Sequence, residues 1–137
     1  MPKRVVITGM GVVSSLGLDT DSFFNNIING ESGISPISSF DTTNHSVKIA
    51  GEVKINLEDY FDSKELNRID RFTAFALIAA KEAVDRSSID DNVKSKVGVI
   101  IGSGIGGIHT MEEQHSRLQK APKRVSPFFV PSMILDI

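Results

Sequence analysis

Lys96–Gly107, KVGVIIGSGIGG, decides the fold class. Val97–Ile101 is a short apolar run rich in β-branched residues, and it passes without a spacer into a loop with glycine at 102, 104, 106 and 107. That pattern predicts a fully buried strand followed by a sharp turn with close backbone approach. In an α/β fold, ligands bind at this carboxyl end of a strand. A tight strand-to-helix turn with no ligand fits the same letters.

Gly102, Gly104 and Gly107 also fit G-x-G-x-x-G, the dinucleotide fingerprint. That chemistry needs a second strand and an acidic residue about 20 residues on for the ribose hydroxyl. Lys123, Arg124, Val125, Ser126 and Pro127 stand there instead. A dinucleotide-binding module is therefore the weaker alternative.

Working outward, Arg4–Gly17 opens with a β-branched run that stops at Gly9 and Gly11, and predicts a buried strand and a loop. Ser14 and Ser15 lack the G-x-S-x-G elbow of a serine nucleophile, so they read as loop hydrogen-bonding residues. Asp19–Gly30 predicts a helix capped by Asp19 or Thr20, with Phe23, Phe24, Ile27 and Ile28 on one face and Asn29-Gly30 at its end. Residues 34–53 are rich in loop formers, with a strand expected over Val47–Val53.

Residues 62–85 predict the strongest helix, capped by Asp62 or Ser63, with Glu65 placed to close a capping box on Asp62. Ile69, Phe72, Phe75, Ala76, Ala79, Ala80, Ala83 and Val84 recur at helical spacing. With Ala74, Leu77 and Ile78 beside them, the helix is expected to be largely buried, its alanines admitting another backbone. A further helix is expected over Ile108–Gln119. His45 lies among loop formers, and His109 and His115 are six apart, which does not put them on one helical face, so no metal site is expected. Pro127 and Pro131 bracket Phe128–Val130, and Met133, Ile134 and Ile137 fall on one helical face.

The 137 residues suit one domain. Composition is ordinarily globular, at 40% hydrophobic and 23% charged, and the net charge of −2 argues against a general nucleic-acid binder. Residues 1–62 carry four basic and eight acidic side chains, and residues 63–137 carry eleven and nine. An acidic partner is thus expected to meet the second part. There is no cysteine, hence no disulfide framework, thiolate metal site or thiol nucleophile. No run approaches the length of a membrane span and none reads as a signal peptide, so a cytoplasmic protein is expected. The chain stops on an apolar helix with no cap or polar tail, which predicts an incomplete domain.

Five segments together, VVITGMGVVSSLG (5–17), GISPISSFDTTNHSVKIAGEV (33–53), RIDRFTAFALIAAKEA (68–83), VGVIIGSGIGG (97–107) and RVSPFFVPSMI (124–134), resemble the amino-terminal part of the type II β-ketoacyl-[acyl carrier protein] synthases. These are the elongating condensing enzymes of fatty acid synthesis. The resemblance runs from end to end in the same order. It implies an α/β thiolase-like fold layered αβαβα, of which residues 1–137 would be part of the first half, in a homodimer without cofactor or metal. The implied reaction is acyl transfer to a cysteine followed by decarboxylative Claisen condensation with a malonyl-carrier protein. The implied cysteine and two histidines have no counterpart here, so this chain alone is expected to be inactive. The same resemblance leaves open a chain-length-factor-like relative that lacks the nucleophile.

By the same resemblance, Ile105 is the gate of the acyl pocket, and Phe129, Val130, Met133 and Ile134 line its floor across the dimer interface. Lys64, Arg68, Lys123 and Arg124 fall on the family's basic rim for the acidic acyl carrier protein. Asn67 departs from the pattern, standing where a basic residue is often found. Half of a layered sandwich would expose its sheet and the 128–137 segment, so the isolated chain is expected to aggregate or be molten.

Overall fold

A computed structural model describes residues 3–134. Its elements are α1 (Thr20–Ile28), β1 (Ser35–Pro36), β2 (Ile49–Ala50), α2 (Ser63–Leu66), α3 (Arg71–Ser87), α4 (Asp91–Lys94), α5 (Ile108–Lys120) and α6 (Phe129–Met133). They fall into two compact units. One is Met1–Ile55 with Ile78–Asp90, and the other is Asn56–Leu77 with Asp91–Ile137. No helix among the described residues is long and apolar enough to cross a membrane.

In the first unit, α1 begins where the sequence predicts. The Asp19 carboxylate accepts the backbone N–H groups of Asp21 and Ser22, satisfying two donors that a helix start leaves free. These bonds, that from Ser22 foremost, hold its pKa below the usual carboxylate range. Asn29 closes the helix and Gly30 follows at φ +70°. Ser14 serves the loop, its hydroxyl accepting from the Leu16 and Gly17 amides at 3.1 and 3.2 Å.

The alanine row of α3 admits a backbone, as expected. A methyl group at Gly9 would overlap the Ala83 carbonyl oxygen, and one at Gly11 that of Ala79. Glu82 fastens this packing. Its carboxylate accepts the Val12 amide at 3.0 Å and the Thr20 amide at 2.8 Å, and pairs with Arg86 at 3.0 Å. β1 and β2 pair antiparallel, with Ser35 opposite Ala50 and Pro36 opposite Ile49. Beyond them Glu52 accepts hydrogen bonds from both the amides and the hydroxyls of Ser38 and Ser39. The Ser39 hydroxyl is the largest influence in lowering its pKa to about 2.

Several expectations are corrected. Residues 97–101 form no strand, and they are exposed, with Val99 at 79% and Ile100 at 99%. The run at the start of the chain behaves alike, with Val5 91% and Ile7 81% exposed. β-Branched residues favour an extended backbone locally, but a ladder needs a neighbouring strand and burial needs a covering layer. Among the described residues neither run has a strand partner. The strand expected over Val47–Val53 contracts to Ile49–Ala50.

The helix expected over 62–85 is two helices. Asp62 and Glu65 form the capping box at the start of α2, but α2 ends on Asn67. α3 then starts afresh behind Asp70, whose carbonyl accepts the Ala74 amide at 3.1 Å and whose carboxylate accepts the Phe72 amide at 3.4 Å. An aspartate that bonds the following amides competes with continuous helix and makes a new start. The expectation of a largely buried helix also fails. Ala74 and Ile78 are its buried apolar residues, while Leu77 and Val84 are each 45% exposed. The helical face read at Met133, Ile134 and Ile137 meets α6, which begins at Phe129 and ends at Met133. Ile137 lies outside the described residues.

Candidate functional site

The residues assigned to an acyl pocket and to a docking rim all fall in the second unit. The glycine loop that follows residue 101 is free at one end and fixed at the other. Among the described residues a Cβ at Gly102 or Gly104 would meet nothing within 4 Å, and Ile105 is 77% exposed. At Gly106 the chain turns through φ +79°, a conformation that suits glycine, and its amide bonds the Ser103 hydroxyl at 3.0 Å. Gly107 is buried and its amide donates to the Met133 carbonyl at 2.8 Å.

That last bond joins the two parts of the expected pocket, the Ile105 loop and α6. Phe129, Val130 and Met133 lie within α6, and Ile134 caps it, its amide donating to the Val130 carbonyl at 3.2 Å. Phe129, Met133 and Ile134 are half-buried, whereas Val130 is 49% exposed. Two polar side chains fix the segment. Gln114, buried on α5, accepts the Ser126 amide at 2.8 Å, and the buried Ser132 hydroxyl donates to the Phe128 carbonyl at 2.7 Å.

Beneath the glycine loop sits Asp70, buried despite its charge. Its Oδ2 accepts the Thr110 amide at 3.3 Å and, more closely, the Thr110 hydroxyl. Gly107 is the N-cap of α5 and has no side chain to cap with, so Asp70 supplies the missing acceptor from elsewhere in the chain. The polar, basic pattern at 64–71 reads in sequence as a solvated helix end. Asp70 ahead of an apolar run could signal a cap on α3, but nothing local signals its bond to Thr110, 40 residues on.

The four cations expected on a docking rim, Lys64, Arg68, Lys123 and Arg124, are all exposed. Among the described residues no carboxylate lies within ion-pair distance of any of them, in contrast to Arg117, which pairs with Glu113 at 2.5 Å. The Arg68 guanidinium carbon stands 5.2 Å from the centre of the Phe128 ring, so a cation of the 64–68 stretch is anchored on the segment that follows Arg124. Asn67 and Phe128 also line an open cleft of about 550 Å³, together with Asp70, His109, Gln114 and Arg117. None of the five residues expected to form an acyl pocket lines that cleft. A second hollow, of about 520 Å³, has Arg117, Lys120 and Arg124 in its walls.

The chain belongs to the beta-ketoacyl synthase family, since residues 2–136 match "Beta-ketoacyl synthase, N-terminal domain". Its fold is the α/β thiolase-like ketosynthase fold. It superposes with a TM-score of 0.77 and 25% identity on the ishigamide ketosynthase/chain length factor, over 94% of this chain and 33% of that one. A type II polyketide acyl-carrier protein in complex with its ketosynthase gives a TM-score of 0.70 at 22% identity, over 97% and 35% of the two chains.

Among curated proteins it is 50% identical to 3-oxoacyl-[acyl-carrier-protein] synthase 2 of Staphylococcus aureus (strain N315), over 98% of this chain and 34% of that protein. The enzyme of the same description from Vibrio cholerae is 41% identical over the same shares. The chain thus spans about a third of the length of the relatives it matches.

Proposed function

We propose that residues 1–137 are the incomplete amino-terminal portion of the ketosynthase domain of a 3-oxoacyl-[acyl-carrier-protein] synthase 2, an acyltransferase of fatty acid synthesis. The 50% identity over 98% of the chain carries this reading. The parent condenses an acyl chain with a malonyl unit. A cysteine thiolate attacks the acyl thioester and releases the carrier thiol. Malonyl-carrier protein then loses carbon dioxide, and the resulting enolate attacks the acyl-enzyme, freeing the cysteine and leaving a 3-oxoacyl thioester two carbons longer. The thiolate is the competent nucleophile, and the oxygen that gains charge needs fixed donors. This chain supplies no thiol.

What it supplies is shape and charge. Ile105 gates the acyl pocket, and Phe129, Val130, Met133 and Ile134 form its floor. Met adapts to a chain and Phe offers it a flat wall, each buried CH₂ being worth about 0.8 kcal/mol. Lys64, Arg68, Lys123 and Arg124 meet the acidic acyl carrier protein. The parent works as a cytoplasmic homodimer, in which the apolar runs at 4–9 and 97–101 are covered by the rest of the sheet and its layers.

The similarity to a ketosynthase/chain length factor supports a second reading, a relative that lacks the nucleophile and partners an active subunit. Reading the coding sequence past codon 137 and assaying the encoded protein separates them. A cysteine within a few tens of residues, two later histidines, and 3-oxoacyl product from acyl- and malonyl-carrier protein support the synthase. Another residue in the cysteine's place supports the second reading, and a stop codon soon after 137 overturns both.

A further inference from the structure

We infer that Asp70 is a positioning residue for chain-length selection: its buried carboxylate fixes the fulcrum on which the Ile105 arm of the glycine loop turns. The inference rests on the reading of Ile105 as an acyl gate. The loop divides at Gly106. On one side, a Cβ at Gly102 or Gly104 would touch nothing among the described residues, and Ile105 is exposed. On the other, Gly107 is held between two fixtures. Its amide bonds the Met133 carbonyl at 2.8 Å, and a Cβ on it would stand 2.5 Å from Asp70 Oδ2.

Asp70 is itself held. Its two oxygens face Phe72 and Thr110, so it ties the start of α3 to the start of α5, at the residue where the glycine loop becomes helix. A buried carboxylate is costly unless its lone pairs are used, and these bonds use them. An arm swings reproducibly only if its pivot stays put. If the pivot drifts, Ile105 no longer clears the path by the same amount, and the loss falls on substrates long enough to need it open. Short acyl groups that stop before the gate are spared.

The test uses the full-length enzyme and two variants, Asp70→Asn and Thr110→Val. Both are close in volume to the wild type: Asp70→Asn leaves one acceptor oxygen where two serve Phe72 and Thr110, and Thr110→Val removes the hydroxyl donor. Each is expected to lower kcat/KM for long acyl thioesters by ~10-fold more than for short ones, in keeping with the cost of misplacing a reacting group. The double variant should do no more than either single change. Equal losses at all chain lengths, or no loss at either, would overturn the inference, as would full additivity. If wild-type enzyme makes no ketoacyl product at all, the synthase reading fails by itself. Asp70 is then judged by hydrogen exchange at the Gly106 and Gly107 amides. Faster exchange in Asp70→Asn retains the fulcrum, and unchanged exchange removes it.

Discussion

The Gly107 amide donates to the Met133 carbonyl across 2.8 Å, tying the glycine loop to the apolar segment 26 residues further on. The preceding glycine makes that contact possible, because a Cβ on Gly106 would overlap the same carbonyl and φ there is +79°. In the full-length protein Gly106→Ala should therefore cost about 2 kcal/mol in a denaturant melt. Gly104 does not share that left-handed φ, so Gly104→Ala avoids the backbone strain and should cost clearly less than Gly106→Ala. Equal effects at the two positions would contradict the fixed and free halves of the loop.

Glu82 sets the packing of the first unit. Glu82→Ala strands the Val12 and Thr20 amides and should destabilise the full-length protein by about 2 kcal/mol. Burial pushes the Glu82 pKa up, but the Thr20 and Val12 hydrogen bonds and the Arg86 charge outweigh it, so the pKa lies below the ordinary 4.5. A carboxylate depressed on folding contributes stability above its unfolded pKa and loses it as pH falls through the folded value. The wild-type advantage over Glu82→Gln should thus hold at pH 6 to 7 and shrink below about pH 4.5. A gap that widened with acid would contradict the assignment.

The rim should act on association. Reversing Arg68 and Arg124 to glutamate is expected to slow acyl-carrier-protein binding by about tenfold at low salt, with little difference left near 1 M salt, where screening reaches about 3 Å. Stopped-flow mixing against ionic strength measures this. Arg68→Lys should lose part of the effect even with its charge kept, since guanidinium stacks on Phe128 better than ammonium does. A salt-independent loss would place these cations outside the docking surface.

The exposed β-branched runs make a prediction for the isolated chain. With Val5, Ile7, Val99 and Ile100 each between 79% and 99% exposed, the purified 137 residues should bind a hydrophobic dye and self-associate as concentration rises. A sharp, cooperative melt of a non-associating monomer would contradict that.

Local signals were legible where they are local. Asp19 caps α1, the capping box at Asp62 and Glu65 is present, and the Ala79–Ala83 row admits the Gly9–Gly11 backbone. The break between α2 and α3 was not legible, because the apolar stripe continues through it and the new start depends on Asp70 turning its carboxylate inward. The runs at 4–9 and 97–101 read as buried strands but are exposed within these residues, as half of a layered sandwich leaves its sheet. Side-chain type specifies an extended backbone, while cover comes from neighbours that a single stretch does not name. Of the candidate site, the residue types at Ile105 and in 128–134 were visible. Their junction through Gly107 and Met133, and the role of Asp70 beneath it, are tertiary facts.

The central claim is that these residues carry the gate, floor and rim of a condensing enzyme but not its nucleophile. The most direct test incubates the purified 137-residue chain with acyl- and malonyl-carrier protein and follows product by mass spectrometry. No 3-oxoacyl product and no acylated chain are predicted, since the sequence holds no cysteine. Turnover by this chain, with nothing else added, would contradict the account.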